Sequence, residues 1–174
     1  MSYPAVLIFD YDPRWPHRFE EEKRRVAESL GPRALAIEHV GSTSVPGLGA
    51  KPVIDIMVGV GELAEGEECI APLRAIGYEF IPRRNFPECY FFVRGPWRAR
   101  LFHLHLTKYR GPMWNRYLLF RDYLRDHPEV ARQYQERKRE IALEIGARRY
   151  AYSVAKRPFI DEIMSQLVGR DETD

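Results

Sequence analysis

The chain has 174 residues, of which 45% are apolar and 30% charged, with a net charge of +2 at pH 7. These values exclude collagen-like, disordered and membrane-embedded classes and suit one globular domain, expected over 1–170, with a frayed acidic tail at 171–174. No apolar run approaches the length of a membrane span, and Met1-Ser2-Tyr3-Pro4 lacks the basic and apolar regions of a secretion signal, so a cytoplasmic protein with no membrane partner is expected.

In chain order, Val6-Leu7-Ile8-Phe9 fits a short edge strand, and Asp10-Tyr11-Asp12-Pro13 a turn. The spacing of Trp15, Phe19, Val26 and Leu30, with acids early and bases later, predicts an amphipathic helix capped by Asp12 and stopped by Gly31-Pro32. Ala34 to Val40 begins the sheet. After a glycine- and hydroxyl-rich loop, Val53 to Val60 is a near-continuous apolar run, the pattern of a central strand covered on both faces. Cys69 to Ile76 reads as a short helix ended by Gly77, and Tyr78 to Ile81 as a short extended segment. Cys89–Arg94 and Arg100–Leu106 read as two strands joined at Gly95-Pro96-Trp97. Met113, Tyr117, Phe120 and Leu124 recur at helical spacing; His127-Pro128 breaks that helix before a second from Glu129 to Ile145 and a third from Tyr150 to Leu167. The sum is a mixed sheet with an early helix and a helical C-terminal layer, an α+β or α/β arrangement.

Charge is unevenly spread: residues 94–157 carry sixteen Lys/Arg against six Asp/Glu, whereas residues 1–93 carry ten against fourteen. Such polarity points to an anionic ligand, although solvated helix faces would give the same excess. Cys69 and Cys89 match neither a disulfide framework nor a CxxC pair, so both are expected to be buried small hydrophobes.

The loop between the first two strands holds three glycines and three hydroxyls, which lets backbone N–H groups approach an anion closely; a tight structural turn would use the same residues. Gly41, Ser42, Ser44 and Lys51 are its phosphate-binding candidates. Asp55 then brings a carboxylate into an apolar strand, where it needs a cation, a metal or hydrogen-bond donors. Strand alternation puts Lys51, Val53, Asp55 and Met57 on one face, so no second acid stands two residues from Asp55. His103 and His105 share a strand face and can point at one ion; taken singly, each is more simply a satisfied core histidine. With Asp55, Glu38 and His39 in other buried strands, a shared polar site is expected. Tyr109, Arg110, Asn115, Arg121, Lys138, Tyr152 and Lys156 could face it from the later helices, although surface and packing roles account for each alone.

Several stretches together resemble the GrpB family: Tyr11-Asp12-Pro13-x-Trp15-Pro16-x-x-Phe19, Ile37 to Leu48, Ala50 to Ile56, Phe102-His103-Leu104-His105-Leu106, Phe120 to Arg125, and Tyr152-x-x-x-Lys156-x-Pro158-Phe159-Ile160. The resemblance implies the nucleotidyltransferase superfamily of DNA polymerase beta type, with a related domain fused to dephospho-CoA kinase in some bacteria. It implies an α+β fold with a mixed sheet, an N-terminal helix and a C-terminal helical layer, Gly41-Ser42 as the Gly-Ser triphosphate motif, and Asp55 as a catalytic metal carboxylate. The superfamily pattern places acids at i and i+2, whereas Val53 and Met57 flank Asp55 here. His103 and His105 lie where a later strand would supply another acid, and imidazoles favour a transition metal over magnesium. Arg148-Arg149 replaces the Asp-Arg pair of the family pattern.

The expectation is a nucleotidyltransferase-like protein that binds a nucleotide or another phosphorylated small molecule. Gly41, Ser42, Ser44 and Lys51, with Arg121 and Lys156, would hold phosphate. Asp55, His103 and His105, supported by Glu38 or His39, would hold a divalent metal ion. Any reaction would transfer a nucleotidyl group to a small acceptor. The alternative is a non-catalytic binding or accessory module that assists another protein, such as a CoA-pathway kinase. Nucleic acid is the weakest partner reading.

Overall fold

The β-forming runs build one five-stranded sheet in the computed structural model, which describes residues 6–82, 87–96, 99–146 and 148–171. The strands are β1 (Ala36–Val40), β2 (Ile54–Val60), β3 (Glu79–Phe80), β4 (Tyr90–Arg94) and β5 (Phe102–Lys108), in spatial order β1-β2-β5-β4-β3. Six helices accompany them among the described residues: α1 (Trp15–Leu30), α2 (Gly66–Ala75), α3 (Pro112–Asp126), α4 (Pro128–Ile145), α5 (Arg149–Ala155) and α6 (Arg157–Asp171). β2 and β5 are parallel, and every other neighbouring pair is antiparallel. A parallel pair needs a long crossover, which here contains α2, β3 and β4.

The alternation of side chains divides the core in two. Ile37, Ile54, Ile56, Val58, Phe92, Leu104 and Leu106 face α1 and α2 and pack on Trp15, Phe19, Val26, Leu30, Cys69 and Leu73. On the other face Val40 and Met57 pack under Trp114 of α3, and a further cluster joins Val45 and Leu48 of the glycine-rich loop to α3, α4 and α6. Every residue of β2 except Asp55 is buried, as expected for a covered central strand. The fold is therefore mixed α+β, with α1 and α2 on one face of the sheet and the helices that follow the last strand, led by α3, on the other.

Three local expectations are corrected. Val6–Phe9 forms no strand; Phe9 makes a single bridge to Ala50, while Val6 and Ile8 turn toward Ile141, Ala142 and Tyr152. Asp12 does not cap α1 with its side chain: its carboxylate accepts the backbone N–H of Arg14 at 2.9 Å and is gripped by the Arg14 guanidinium, and Arg14 occupies the cap position. The third late helix is split into α5 and α6 around Lys156, because Pro158 has no N–H to donate and its ring obstructs the carbonyl four residues earlier. Trp97 of the expected hairpin turn and residues 172–174 of the expected tail lie outside the described residues.

Gly59 lets α3 close onto the sheet. A Cβ there would lie 2.9 Å from both Trp114 Cζ3 and Tyr109 Cδ2. Gly59→Ala is expected to lower stability by roughly 1–3 kcal/mol through overpacking in urea unfolding. At Gly61 a Cβ would meet only the movable carboxylate of Glu65, so Gly61→Ala should cost clearly less; equal losses at the two positions would contradict this packing.

Candidate functional site

The pairing register sets Asp55 between Val40 of β1 and His103 of β5, with His105 two pairs further along opposite Met57. His103 Nδ1 lies 3.2 Å from Asp55 Oδ1, and His105 Nε2 lies 3.8 Å from the same oxygen. An ionised carboxylate accepts only, which assigns the His103 proton to Nδ1. Burial raises the Asp55 pKa, but hydrogen bonding to the two imidazoles outweighs it and holds the carboxyl well below its usual range. Burial opposes charge on His105, while contacts with Asp55 and Cys89 raise its pKa. Cys89 Sγ sits 3.9 Å from His105 Nδ1 and is half-buried, so it is a polar contact of the cluster rather than the buried hydrophobe expected; Cys69 is fully buried.

The other Asp55 oxygen explains Gly41. A Cβ at that position would fall 2.5 Å from Asp55 Oδ2, and the backbone there has φ of 72°, so both space and conformation demand glycine. The chain leaving β1 therefore crosses directly over the carboxylate.

Glu38 and His39 are adjacent in β1 and point to opposite faces. Glu38 is on the Asp55 side, but its carboxylate is paired with Arg121 Nη1 at 2.7 Å. Arg121 also donates to the His39 carbonyl at 3.0 Å and to Asp122 Oδ1 at 2.7 Å, so this buried guanidinium clamps α3 to β1. His39 faces α1, stacked on Phe19 with ring centres 4.7 Å apart, and its Nε2 is 2.9 Å from Thr43 Oγ1. Burial pushes its pKa down to about 4. The structure thus brings Asp55, His103 and His105 together and leaves the His39 side chain on the other face of the sheet.

A two-metal transferase needs paired carboxylates. Val53 and Met57 offer none beside Asp55, and both imidazoles turn onto one oxygen of that carboxylate. Among the described residues no three His, Cys, Asp or Glu side chains are grouped to hold one ion. The residues present do not fit the two-metal arrangement.

The loop after β1 gathers cations instead. Ser44 Oγ donates to the Gly41 carbonyl, and Arg125 donates twice to the Ser44 carbonyl at 3.1 and 2.8 Å, so Ser44 braces the loop. Lys138 of α4 donates to Ser42 Oγ at 3.0 Å and to the Gly49 carbonyl at 2.5 Å, and its ammonium lies 4.8 Å from the centre of the Tyr134 ring. Gln135 accepts the Gly49 N–H. Lys51 and Lys156 stand 4.7 and 4.9 Å from the centre of the Tyr152 ring. Lys138 is only 1% exposed; burial first, then repulsion from Lys156, Arg139 and Lys51, pushes its pKa down to about 6. Burial lowers the Lys156 pKa too, opposed by the charge of Asp55.

Sequence reasoning had named Lys138 only as one of several helical residues, and had missed Tyr134 and Gln135. A signal was present: Ala131, Tyr134, Lys138 and Ile141 follow one another at helical spacing along the buried stripe of α4, where a lysine is out of place.

Comparison with known proteins places these features in a family. The GrpB protein family model matches residues 5–166. A UPF0157 protein of Pseudomonas aeruginosa is 40% identical over 168 residues, covering 95% of this chain and 67% of that protein. A dephospho-CoA kinase of Mycolicibacterium paratuberculosis is 30% identical over 180 residues, covering 88% of this chain and 44% of the kinase. Among solved structures, GrpB from Enterococcus faecalis superposes with a TM-score of 0.77 at 29% identity, covering 91% of this chain and 99% of that one. The Cid1 poly(U) polymerase superposes with a TM-score of 0.51 at 13% identity over 76% of this chain and 45% of its own, a likeness of fold alone. The chain belongs to the GrpB family, on a fold shared with nucleotidyltransferases.

Proposed function

We propose that this protein binds the phosphate groups of a nucleotide or another phosphorylated small molecule at the Gly41–Lys51 loop, acting in the cytoplasm as a binding module for another protein. The observation that carries this reading is Lys138: a buried ammonium held by a hydroxyl and a carbonyl, close enough to Lys51 and Lys156 to be repelled by them. Burial and the neighbouring cations disfavour the charged form of Lys138, a cost that a bound polyanion would relieve. Lys138, Lys51 and Lys156 would supply the counter-charge, Ser42 Oγ a hydrogen bond, and Gly41 the close backbone approach. Likeness to a dephospho-CoA kinase makes a CoA-pathway kinase the partner class to test.

A second reading, nucleotidyl transfer, is favoured by Asp55 lying within electrostatic reach of Lys156. Against it, the Asp55 carboxylate is already engaged by two imidazoles and lacks a second acid.

Calorimetry with pyrophosphate tests the binding reading, and non-titrating sulfate counts protons. An anion beside Lys138 raises its pKa from about 6, so binding at pH 7 should take up protons, and affinity should fall as pH rises through the interval between the free and bound values. Binding should persist in a chelator and weaken about tenfold or more in a Lys51→Met/Lys156→Met variant. No binding, or undiminished binding in that variant, would contradict the reading.

Asp55→Asn gives an independent test of the carboxylate. Its folded pKa is depressed, so its stabilisation is present above the unfolded value and is lost as pH falls through the folded one. The variant should therefore be roughly 2–5 kcal/mol less stable at pH 7, with a difference that shrinks below about pH 4. Equal stability at pH 7 would mean that the imidazoles do not depend on this charge.

A further inference from the structure

We propose that Cys89 is a reactive thiol, with His105 as its base, and that it exchanges with small-molecule disulfides to form a mixed disulfide. The inference is independent of the anion reading of the Gly41–Lys51 loop. Cys89 immediately precedes β4. Phe91, two positions on, pairs with His105 of β5, so strand alternation puts the Cys89 side chain on the His105 face. Thr107 Oγ1 donates to the Glu88 carbonyl at 2.9 Å and ties this stretch to β5.

Three groups stand in a row rather than converging on one point. Cys89 Sγ is 3.9 Å from His105 Nδ1, and His105 Nε2 is 3.8 Å from Asp55 Oδ1. The ionised carboxylate accepts only, which puts the proton of a neutral imidazole on Nε2 and turns the Nδ1 lone pair toward the thiol. A nucleophile, a base within reach and a third group orienting that base are the parts an activated cysteine requires. The Phe91 and Tyr117 rings, centred 5.0 and 5.6 Å from the His105 ring, hold it from the sides. Burial opposes charge on His105, but Asp55 and Cys89 raise its pKa, so it takes up a proton more readily than an ordinary histidine.

The sulfur also lies 3.4 Å from the Tyr90 carbonyl, which can accept the thiol hydrogen but not remove it. Cys89 is half-buried and so reachable from solvent, whereas Cys69 is fully buried among α1 and α2 on the opposite face of the sheet. In the exchange the Cys89 thiol gives its proton to His105 Nδ1, and the sulfur attacks one sulfur of the disulfide. The S–S bond of the reagent breaks as the new S–S bond forms, and the departing thiolate takes the proton from His105. The products are a mixed disulfide at Cys89 and one free thiol. With Cys69 on the other face, no second thiol of this chain can resolve the adduct, so it should persist until an external thiol removes it.

Mass spectrometry of the full chain during reaction with hydroxyethyl disulfide at pH 7, with peptide mapping of the adduct, tests the proposal. The folded protein should gain one adduct, at Cys89, and Cys69 should stay unmodified. Cys89 in the folded chain should react at least about tenfold faster than the same residue in chain unfolded by urea, because an ordinary thiol is only a few per cent thiolate at this pH. A merely accessible cysteine would show no such gain, since unfolding only increases its access. His105→Gln, which keeps a polar side chain without the base, should lower the folded rate about tenfold. If that variant does not fold, the ratio of folded to unfolded rates in the wild type decides alone. A folded rate equal to or below the unfolded one, an adduct on Cys69 in the folded chain, or an unchanged rate in folded His105→Gln would overturn the proposal.

Discussion

The proposed site rests on one lysine, Lys138, that has no carboxylate partner among the described residues. Lys138 lies on the buried stripe of α4, where a methionine or leucine would pack at lower cost, and it reaches ninety-six residues back to Ser42 and eighty-nine back to Gly49. Its neighbours add to the repulsion rather than relieve it, since Lys51, Arg139 and Lys156 all act on it with the same sign. The Gly41–Lys51 loop, Tyr134 and Gln135 pack around this charge. A group this costly in the free protein fits the proposed anion site, where a bound anion would stabilise its charged form.

The sheet keeps two charge systems apart. On one face Asp55 is engaged by the imidazoles of His103 and His105, with Gly41 pressed against its other oxygen. On the other, Glu22 is shared by arginines from α1 and β4. Ile54 and Phe102, which lie on the Glu22 side, immediately precede Asp55 and His103 in their strands. The two systems thus meet at the same pair of strand ends, separated by one layer of backbone.

Much of the fold was legible because hydrophobic period is a local property. The apolar run of β2, the stripe of α1 and the breaks at Gly31-Pro32 and His127-Pro128 all predicted the elements observed. Pro158 carries an equally local signal for the break before α6, although the apolar spacing continues through it. The site was legible in its residue types and less so in its geometry. Glu38 and His39 are consecutive in a strand, so only one could face Asp55, and choosing between them needed the Val40–Asp55 register, which is a fact of pairing rather than of sequence. Arg121 looked like a phosphate ligand by charge alone, and its bond to Glu38, eighty-three residues away, could not be read from spacing. Tyr134 and Gln135 came into view only once α4 was packed on the loop.

Thermal unfolding of the wild type and of Lys138→Met at pH 6, each with and without pyrophosphate, tests the central claim most directly. The lowered pKa of Lys138 means that its cost is fully present below about pH 6 and is relieved as pH rises toward the value of an unfolded lysine. The account predicts that the ligand-free variant melts higher than the wild type, by about 2–4 °C for each kcal/mol of relieved cost, and that pyrophosphate raises the melting temperature of the wild type alone. A ligand-free variant that melts lower, together with a wild type that pyrophosphate leaves unchanged, would make Lys138 a structural tether and contradict the account.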